Sequence, residues 1–221
     1  MFDRISGVYD RMNRVMTAGL DQSWRQRASE RARLEPGMKA LDLCCGTGDL
    51  ALMLAERVGP EGEVTGADFS RPMLDIALEK AKNEGLRQAQ FKWADALDLP
   101  FEDESFDAVT IAFGARNLAD LDRGISEMRR VLVPGGRLVI LEITQPRRQP
   151  LAGFFGLWFD RIVPQLGKFA GDSSAYTYLP ESVRSFPDAE SLAGKLDAGG
   201  LSHVRWTLMA GGIIALHSGI R

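Results

Sequence analysis

The chain has few residues suited to thiol or metal chemistry. Its 221 residues include two cysteines, Cys44 and Cys45, and two histidines, His203 and His217. The cysteines are neighbours without C-x-x-C spacing, and the histidines lie far from them in sequence. That pattern argues against a zinc site, so no metal is expected. Adjacent free cysteines in a glycine-rich run read as small buried apolar fillers. An excess of basic residues is also missing: 27 Lys and Arg stand against 30 Asp and Glu, for a net charge of −3. Without an overall basic field, nucleic acid is not an expected partner, and only a local patch could supply one. Long hydrophobic runs are absent too. "RLVILEI" and "GGIIALH" are strand-sized, far short of the roughly 20 residues needed to span a bilayer. The first residues, "MFDRISGVYDRMNR", are charged throughout and have no apolar signal core. These readings give a cytoplasmic expectation, in a compartment that keeps thiols reduced. Oligomeric state is not legible.

The length suits one large domain with a substantial core. Residues 3–34 read as two helices, broken near residues 17–19. "EPGMKALDLCC" then gives a turn and a short buried strand. "GDLALMLAERVG" is an amphipathic helix stopped by Gly59-Pro60, and "GEVTGADFS" is a second strand. Ser70 is placed to cap the helix "RPMLDIALEKAKNEG", which has Pro72 in its first turn and Gly85 at its end. "AQFKWAD" and "SFDAVTIAFG" follow as strands three and four. A helix over 120–132, ended by "VPGG", precedes the fifth strand "RLVILEI". After a long insertion and a helix near 188–198, "HVRWTLMA" and "IIALHSGI" flank Gly211-Gly212 as an antiparallel hairpin.

Strand–helix alternation predicts an α/β fold with a mostly parallel sheet and helices on both faces. Five such strands finished by a hairpin are similar to the Rossmann-like, seven-stranded layout of class I S-adenosylmethionine-dependent methyltransferases. Similarity of fold does not fix function. The expected organisation is a single domain. It comprises a helical cap (1–34), a donor-binding core (35–146), a lid or substrate insertion (147–187) and a terminal helix and hairpin (188–221).

Gly46-Thr47-Gly48-Asp49-Leu50-Ala51 fits G-x-G-x-x-[GA], and Asp68 follows at about the 20-residue distance of a dinucleotide fingerprint. A strand that turns at once into a helix while a ligand presses on its backbone must exclude side chains from the turn. An acidic residue ending the next strand can accept both ribose hydroxyls. Two features favour a cationic nucleoside over a pyrophosphate. Asp42 lies inside the first strand and Asp49 follows the loop, where a pyrophosphate would want a bare helix N-terminus. Asp95, after strand three, can meet an adenine amino group. Asp42, Asp68 and Asp95 thus end three strands on one sheet edge, which predicts a nucleoside-sulfonium site. As an isolated residue, each has a helix cap or a turn carboxylate as its competing reading, which the three together disfavour.

At this level of detail the chain resembles the ubiquinone/menaquinone biosynthesis C-methyltransferases along nearly its whole length. The resemblance runs through "MFDRISGVYDRMNRVMTAGLDQSWR", "LDLCCGTGDL", "DALDLPFEDESFDAVTIAFGARNLAD", "EMRRVLVPGGRLVILEITQP", "YTYLPESVRSFP" and "GGIIALH". The glycine loop is common to many methyltransferases, whereas "FGARN" and "YTYLPESVRSFP" are more specific. The resemblance implies S-adenosylmethionine as donor and a prenylated quinol as acceptor, methylated on a ring carbon late in quinone biosynthesis. Demethylmenaquinol comes first, with a ubiquinone or phylloquinone precursor, or a noncatalytic S-adenosylmethionine-binding module, as the alternatives. It places donor contacts on Thr47, Asp68, Asp95, Ala96 and Ala112, beside Asp42, Gly46 and Gly48 of the cradle. Related chains often have serine at the Ala112 position, so alanine leaves only a backbone contact there. Cys44 takes the place of a loop glycine, Thr17 that of a frequent serine, and Ile143 and Thr144 depart from Leu-Glu-Phe-Ser-x-Pro.

Attack by a hydroquinone carbon needs the neighbouring hydroxyl deprotonated, so the protein must supply alignment and a partner for the phenolate. Arg116 in "FGARN" is essentially always protonated and so a poor base. It is read as stabilising the phenolate, through an ordered water that takes the proton, with Asn117 orienting the same oxygen. The competing readings are a structural salt bridge for Arg116 and a cap on the following helix for Asn117. His217, on a hairpin strand, is the weaker candidate base. Tyr9 and Asp10 are candidates for closing the first helix over the donor. Residues 147–169, with Arg147, Arg148, Phe154, Phe155 and Trp158, read as a lid over the prenyl chain in contact with the membrane's inner face.

Overall fold

The computed structural model describes residues 10, 12–146 and 180–221. Tyr9, the first residues of the "YTYLPESVRSFP" motif and the predicted lid with its aromatic residues lie outside them. Residues 12–16 are helical and turn at residues 17–19 into α1 (Leu20–Arg31). The alternation then proceeds through β1 (Lys39–Leu43), α2 (Asp49–Val58), β2 (Glu63–Asp68), α3 (Arg71–Glu84), β3 (Ala89–Trp93) and β4 (Phe106–Ala112). A short 3-10 turn (Ala115–Asn117) leads to α4 (Leu121–Val131), β5 (Leu132–Ile143), α5 (Ala189–Ala198), β6 (Ser202–Met209) and β7 (Ile214–Ile220).

The seven strands form one sheet in the order β3-β2-β1-β4-β5-β7-β6. β1 to β5 pair in parallel, β7 runs antiparallel to β5, and β6 closes the hairpin on the outer edge. The predicted fold class is therefore observed. The strand order reverses between β1 and β4, and beyond the carboxyl ends of these two strands lies the usual ligand crevice of open α/β sheets. Apolar residues divide between the faces by alternation along each strand. Leu41, Leu43, Val109, Ile111, Leu138 and Ile140 pack toward α4 and α5. Ala40, Ala108, Val139 and Leu141 pack toward α1 and α2.

Two local expectations need correction. "VPGG" does not separate helix from strand: α4 passes directly into β5 at Leu132. Pairing jumps from Phe106↔Leu132 to Ala108↔Arg137, so the turn residues form a bulge within the strand. Gly135, at φ 82, supplies the conformation this requires. Ser70 occupies the N-cap position of α3, but its side chain makes no capping hydrogen bond. Its backbone N–H donates to Asp68 Oδ1 at 2.8 Å instead. The cap that sequence left open for α4 is Asp120, whose Oδ1 accepts from Arg123 N–H at 3.0 Å.

Candidate active site

The loop between β1 and α2 is wound through left-handed backbone at Cys44 (φ 52), Gly46 (φ 54) and Gly48 (φ 86). A Cβ on Gly48 would lie 2.8 Å from the Ala77 Cβ, so the loop seats directly on α3. On Gly46 the nearest atom would be the Met73 sulfur at 3.5 Å. Asp68, ending β2, ties the loop in place, with Oδ2 accepting the Gly46 N–H at 2.8 Å. Asp68 thus accepts two backbone N–H groups, of Gly46 and Ser70, one on each oxygen. Asp95 is exposed, with Oδ1 accepting the Leu97 N–H at 2.9 Å, and Ala96 beside it is buried. Parallel register of β1, β2 and β3 puts Asp42, Asp68 and Asp95 at one sheet edge, as predicted.

Asp42 is the most buried of the three, at 1% exposure. Thr110 Oγ1 donates to its Oδ1 at 2.6 Å, joining β1 to β4 across the strand-order reversal. Burial pushes its carboxyl up to about 7, against the Thr110 hydrogen bond and the charge of Arg25. Arg25, on α1, lies with its guanidinium carbon 5.1 Å from the Phe113 ring centre and pairs with Asp21 at 3.2 Å.

The loop is also tethered from outside. Thr47 Oγ1 donates to Asp10 Oδ1 at 2.6 Å, and Lys80 Nζ pairs with Asp10 at 2.7 Å and Asp49 at 2.6 Å. Gln22 adds a hydrogen bond to Asp49 Oδ2 at 3.0 Å. Burial acts to raise the Asp49 carboxyl, but the hydrogen bond and charge of Lys80 prevail and hold it below the ordinary value. Asp10 thus reaches the cradle, and the Asp49 charge is engaged by Lys80 rather than left to repel a ligand. Lys80 had no signal in sequence: it sits in the third turn of a helix like many surface lysines.

The cysteines are half-buried, not fully buried as expected. Burial pushes both thiols far up, and the Asp68 and Asp42 carboxylates add to it. Such thiols stay protonated and inert. A Cβ on Gly114 would come within 2.4 Å of the Cys44 Cβ, so Cys44 fills space beside the end of β4. The double variant Cys44→Ala/Cys45→Ala is expected to keep donor affinity within about fivefold, allowing up to about 1 kcal/mol of lost apolar contact. Calorimetric titration of the folded variant checks this.

The second half of the site lies at the ends of β4 and β5. Ala112 is the last residue of β4 and is partly exposed. Arg116 Nη1 donates to Glu142 Oε1 at 2.7 Å and to the Phe113 carbonyl at 2.5 Å. Its side chain is 9% exposed and that of Glu142 is 1% exposed. Glu142 also accepts the backbone N–H groups of Arg116 (3.2 Å) and Ile143 (2.8 Å). The salt bridge considered for Arg116 is therefore real, and it leaves part of the guanidinium over. Arg116 Nε, Asn117 Oδ1 and Thr144 Oγ1 are buried without a hydrogen-bond partner among the described residues. A buried donor and two buried oxygens left unpaired are costly unless a ligand meets them.

His217 lies elsewhere. It pairs with Ile140 in mid-strand, Nε2–H donates to the Ala189 carbonyl at 2.8 Å, and Trp206 stacks on its ring. Burial lowers its pKa against the Ala189 bond, so it stays neutral at pH 7. It packs within the sheet, away from the strand ends that carry the other candidates. Glu142 and Phe69 were missed by sequence. Phe69 follows Asp68, is 70% exposed and stands 5.3 Å from Trp93, an apolar face free to cover a flat base.

The chain's similarity to other proteins agrees with this geometry. The model of the ubiE/COQ5 methyltransferase family matches residues 1–221. A demethylmenaquinone methyltransferase of Thermus thermophilus is 49% identical over 222 residues, covering 100% of both chains. A ubiquinone/menaquinone biosynthesis C-methyltransferase of Saccharophagus degradans is 41% identical, covering 100% of this chain and 90% of the relative. Among solved structures, a SAM-dependent methyltransferase from Aquifex aeolicus superposes with TM-score 0.64 at 20% identity, over 89% of this chain and 88% of the other. The [4+2]-cyclase SpnF gives TM-score 0.70 at 22% identity, over 90% and 80%. Likeness to a cyclase shows why the sheet alone names no reaction. The glycine loop seated on α3, with a carboxylate at each strand end, suits a nucleoside carrying positive charge. Match along the full length and the cradle together place this chain: it belongs to the ubiE/COQ5 methyltransferase family, whose methyl donor is S-adenosylmethionine.

Proposed function

We propose that the protein transfers a methyl group from S-adenosylmethionine to a ring carbon of a prenylated quinol, demethylmenaquinol first. The unpaired buried atoms of Arg116, Asn117 and Thr144 beside the donor cradle carry this reading. The name of the Thermus thermophilus relative supports the naphthoquinol, and that of the Saccharophagus degradans relative keeps a benzoquinol as the second reading.

S-adenosylmethionine, when bound, supplies an electrophilic methyl group. Gly46, Thr47 and Gly48 give it a backbone floor, Asp68 accepts the ribose hydroxyls, and Asp95 with Ala96 meets the adenine edge. Ala112 contributes backbone, and Asp42 sets the negative potential beneath the positive sulfur. The acceptor's ring carbon becomes nucleophilic once the neighbouring hydroxyl loses its proton to a water. Arg116 steadies the resulting oxyanion, Glu142 holds Arg116 in position, and Asn117 orients the oxygen. The prenyl chain is assigned to the 147–187 insertion and membrane contact to its 147–169 stretch, of which 147–179 lie outside the described residues. Among the described residues no helix is long and apolar enough to cross a bilayer.

Only the quinol has a hydroxyl to ionise. Offered as quinol and as quinone, the same prenylated naphthalene compound is expected to be methylated in the reduced form alone. Equal methylation of the quinone would end this mechanism.

Asp42 adds a pH signature. Its folded value of about 7 lies above the ordinary 3.8. Its contribution to stability is therefore complete below 3.8 and lost as pH rises toward about 7. A cation seated over it favours the ionised form, so donor binding near pH 7 is expected to release part of a proton. Titration heats in buffers of different ionisation enthalpy read this release. Asp42→Asn should abolish it; a wild-type heat independent of buffer contradicts it.

A further inference from the structure

On the face of the sheet that carries α1, away from the donor cradle, lies a cleft of about 600 Å³. Arg27, Arg31 and Arg33 line it from α1 and its end, Arg137 from β5, and Arg205 and His203 from β6. A chain of net charge −3 thus concentrates five guanidiniums in one hollow. The only carboxylate in the lining, Glu30, already accepts from Gln26 at 3.1 Å and pairs at 3.6 Å with Arg57, which lies outside the lining. Among the described residues none of the five arginines forms an ion pair. Arg31 Nη2 donates to Thr207 Oγ1 at 3.3 Å, and the end of α1 welcomes its charge. Nothing comparable accounts for the other four. Arg137 is half-buried, and burial together with Arg33 and Arg31 pushes its guanidinium below the ordinary arginine value. Like charges held this close call for a multivalent anion.

We propose that this cleft seats the phosphodiester headgroups of anionic phospholipids and holds the protein on the bilayer that carries its prenylated acceptor. The choice of occupant rests on the acceptor reading above. The chain as a whole repels an anionic surface, so this basic face also fixes the orientation of approach. β6 leads through the Ala210–Gly212 turn to the point where a Cβ on Gly212 would lie 3.7 Å from Pro146, the last described residue before the insertion.

The test uses the full chain and sedimentation with vesicles of phosphatidylcholine, alone or mixed with phosphatidylglycerol. The wild type should bind the mixed vesicles and be released by salt. The combined variant Arg31→Gln/Arg33→Gln/Arg205→Gln should lose at least about tenfold in partitioning. Its turnover of a short-tailed quinol dispersed without lipid should stay within about twofold, since none of the three touches the site. Wild-type binding that ignores phosphatidylglycerol, or an unchanged variant, overturns the proposal. So does thermal stabilisation by inorganic pyrophosphate through these arginines in a protein that ignores vesicles, because the occupant is then a free phosphate. Should the variant fail to fold, wild-type vesicle binding indifferent to salt is equally decisive against it. Binding is read without turnover. A chain that seats on anionic vesicles through these arginines yet methylates no quinol contradicts the acceptor assignment, not the cleft.

Discussion

Arg116→Ala is expected to lower turnover by about 10²- to 10³-fold, the scale of losing one preorganised donor to a developing oxyanion. Affinity for the donor should change little, because the side-chain hydrogen bonds of Arg116 go to Glu142 and the Phe113 carbonyl rather than to the cradle. Stability will fall as well. Glu142 loses its cationic partner in a site where it is 1% exposed, and stranding a buried charge costs about 3–5 kcal/mol. Glu142→Gln separates the two effects. The amide keeps the size but has one oxygen, enough for only one of the backbone N–H groups of Arg116 and Ile143 that Glu142 accepts on separate oxygens, and it releases the guanidinium from its ion pair. A positioning role predicts about a tenfold drop in kcat with donor KM unchanged, and recovery in Glu142→Asp only in part, since the shorter chain falls back from Nη1. If Arg116→Ala folds and turns over at near the wild-type rate, Arg116 is a structural salt bridge and the oxyanion has another partner.

The second large effect falls on the donor. Asp68→Ala removes the acceptor of two backbone N–H groups, at Gly46 and Ser70, both at 2.8 Å. Hydrogen bonds to a charged acceptor contribute about 1.5–3 kcal/mol each. The glycine loop loses its tie to β2 at the moment the ribose loses its acceptor. A donor Kd at least about a hundredfold weaker is the expected result, together with a lower melting temperature. Asp68→Asn should lie between, with one oxygen left to accept and an NH₂ turned on a group that also donates. Calorimetry on the folded variants decides the matter. A Kd unchanged in Asp68→Ala would place the ribose elsewhere.

How much of this could be read from sequence follows from the range of each interaction. β1, β2 and their helices were legible because local signals agree. Alternating apolar runs end in Gly46 and Gly48, which adopt φ 54 and φ 86, and Gly85 ends α3 at φ 72 in the left-handed region. The carboxylates at the strand ends were legible because parallel neighbours in register must finish at one edge. Partners that arrive from elsewhere in the chain were not legible. Glu142 meets Arg116 only because β4 and β5 lie side by side, and Lys80 reaches Asp10 and Asp49 only because α3 packs beneath the loop. Thr110 looked like any β-branched strand residue until β1 and β4 paired and brought its hydroxyl to Asp42. "VPGG" misled because a proline and two glycines stop most elements, whereas here the strand resumes its pairing beyond them. The arginine cleft escaped notice for the opposite reason. Its members are spread over α1, β5 and β6, and a net charge of −3 conceals them.

Methyl transfer to a quinol ring carbon is tested most directly with purified protein, a donor labelled in its methyl group, and reduced prenylated naphthoquinols and benzoquinols together. Products are resolved by mass spectrometry, with fragmentation to locate the label. The expected result is label on a ring carbon of the naphthoquinol, formed faster than any benzoquinol product and lost in Arg116→Ala. Label on a quinol oxygen, or on no member of the panel while the donor binds, would contradict it.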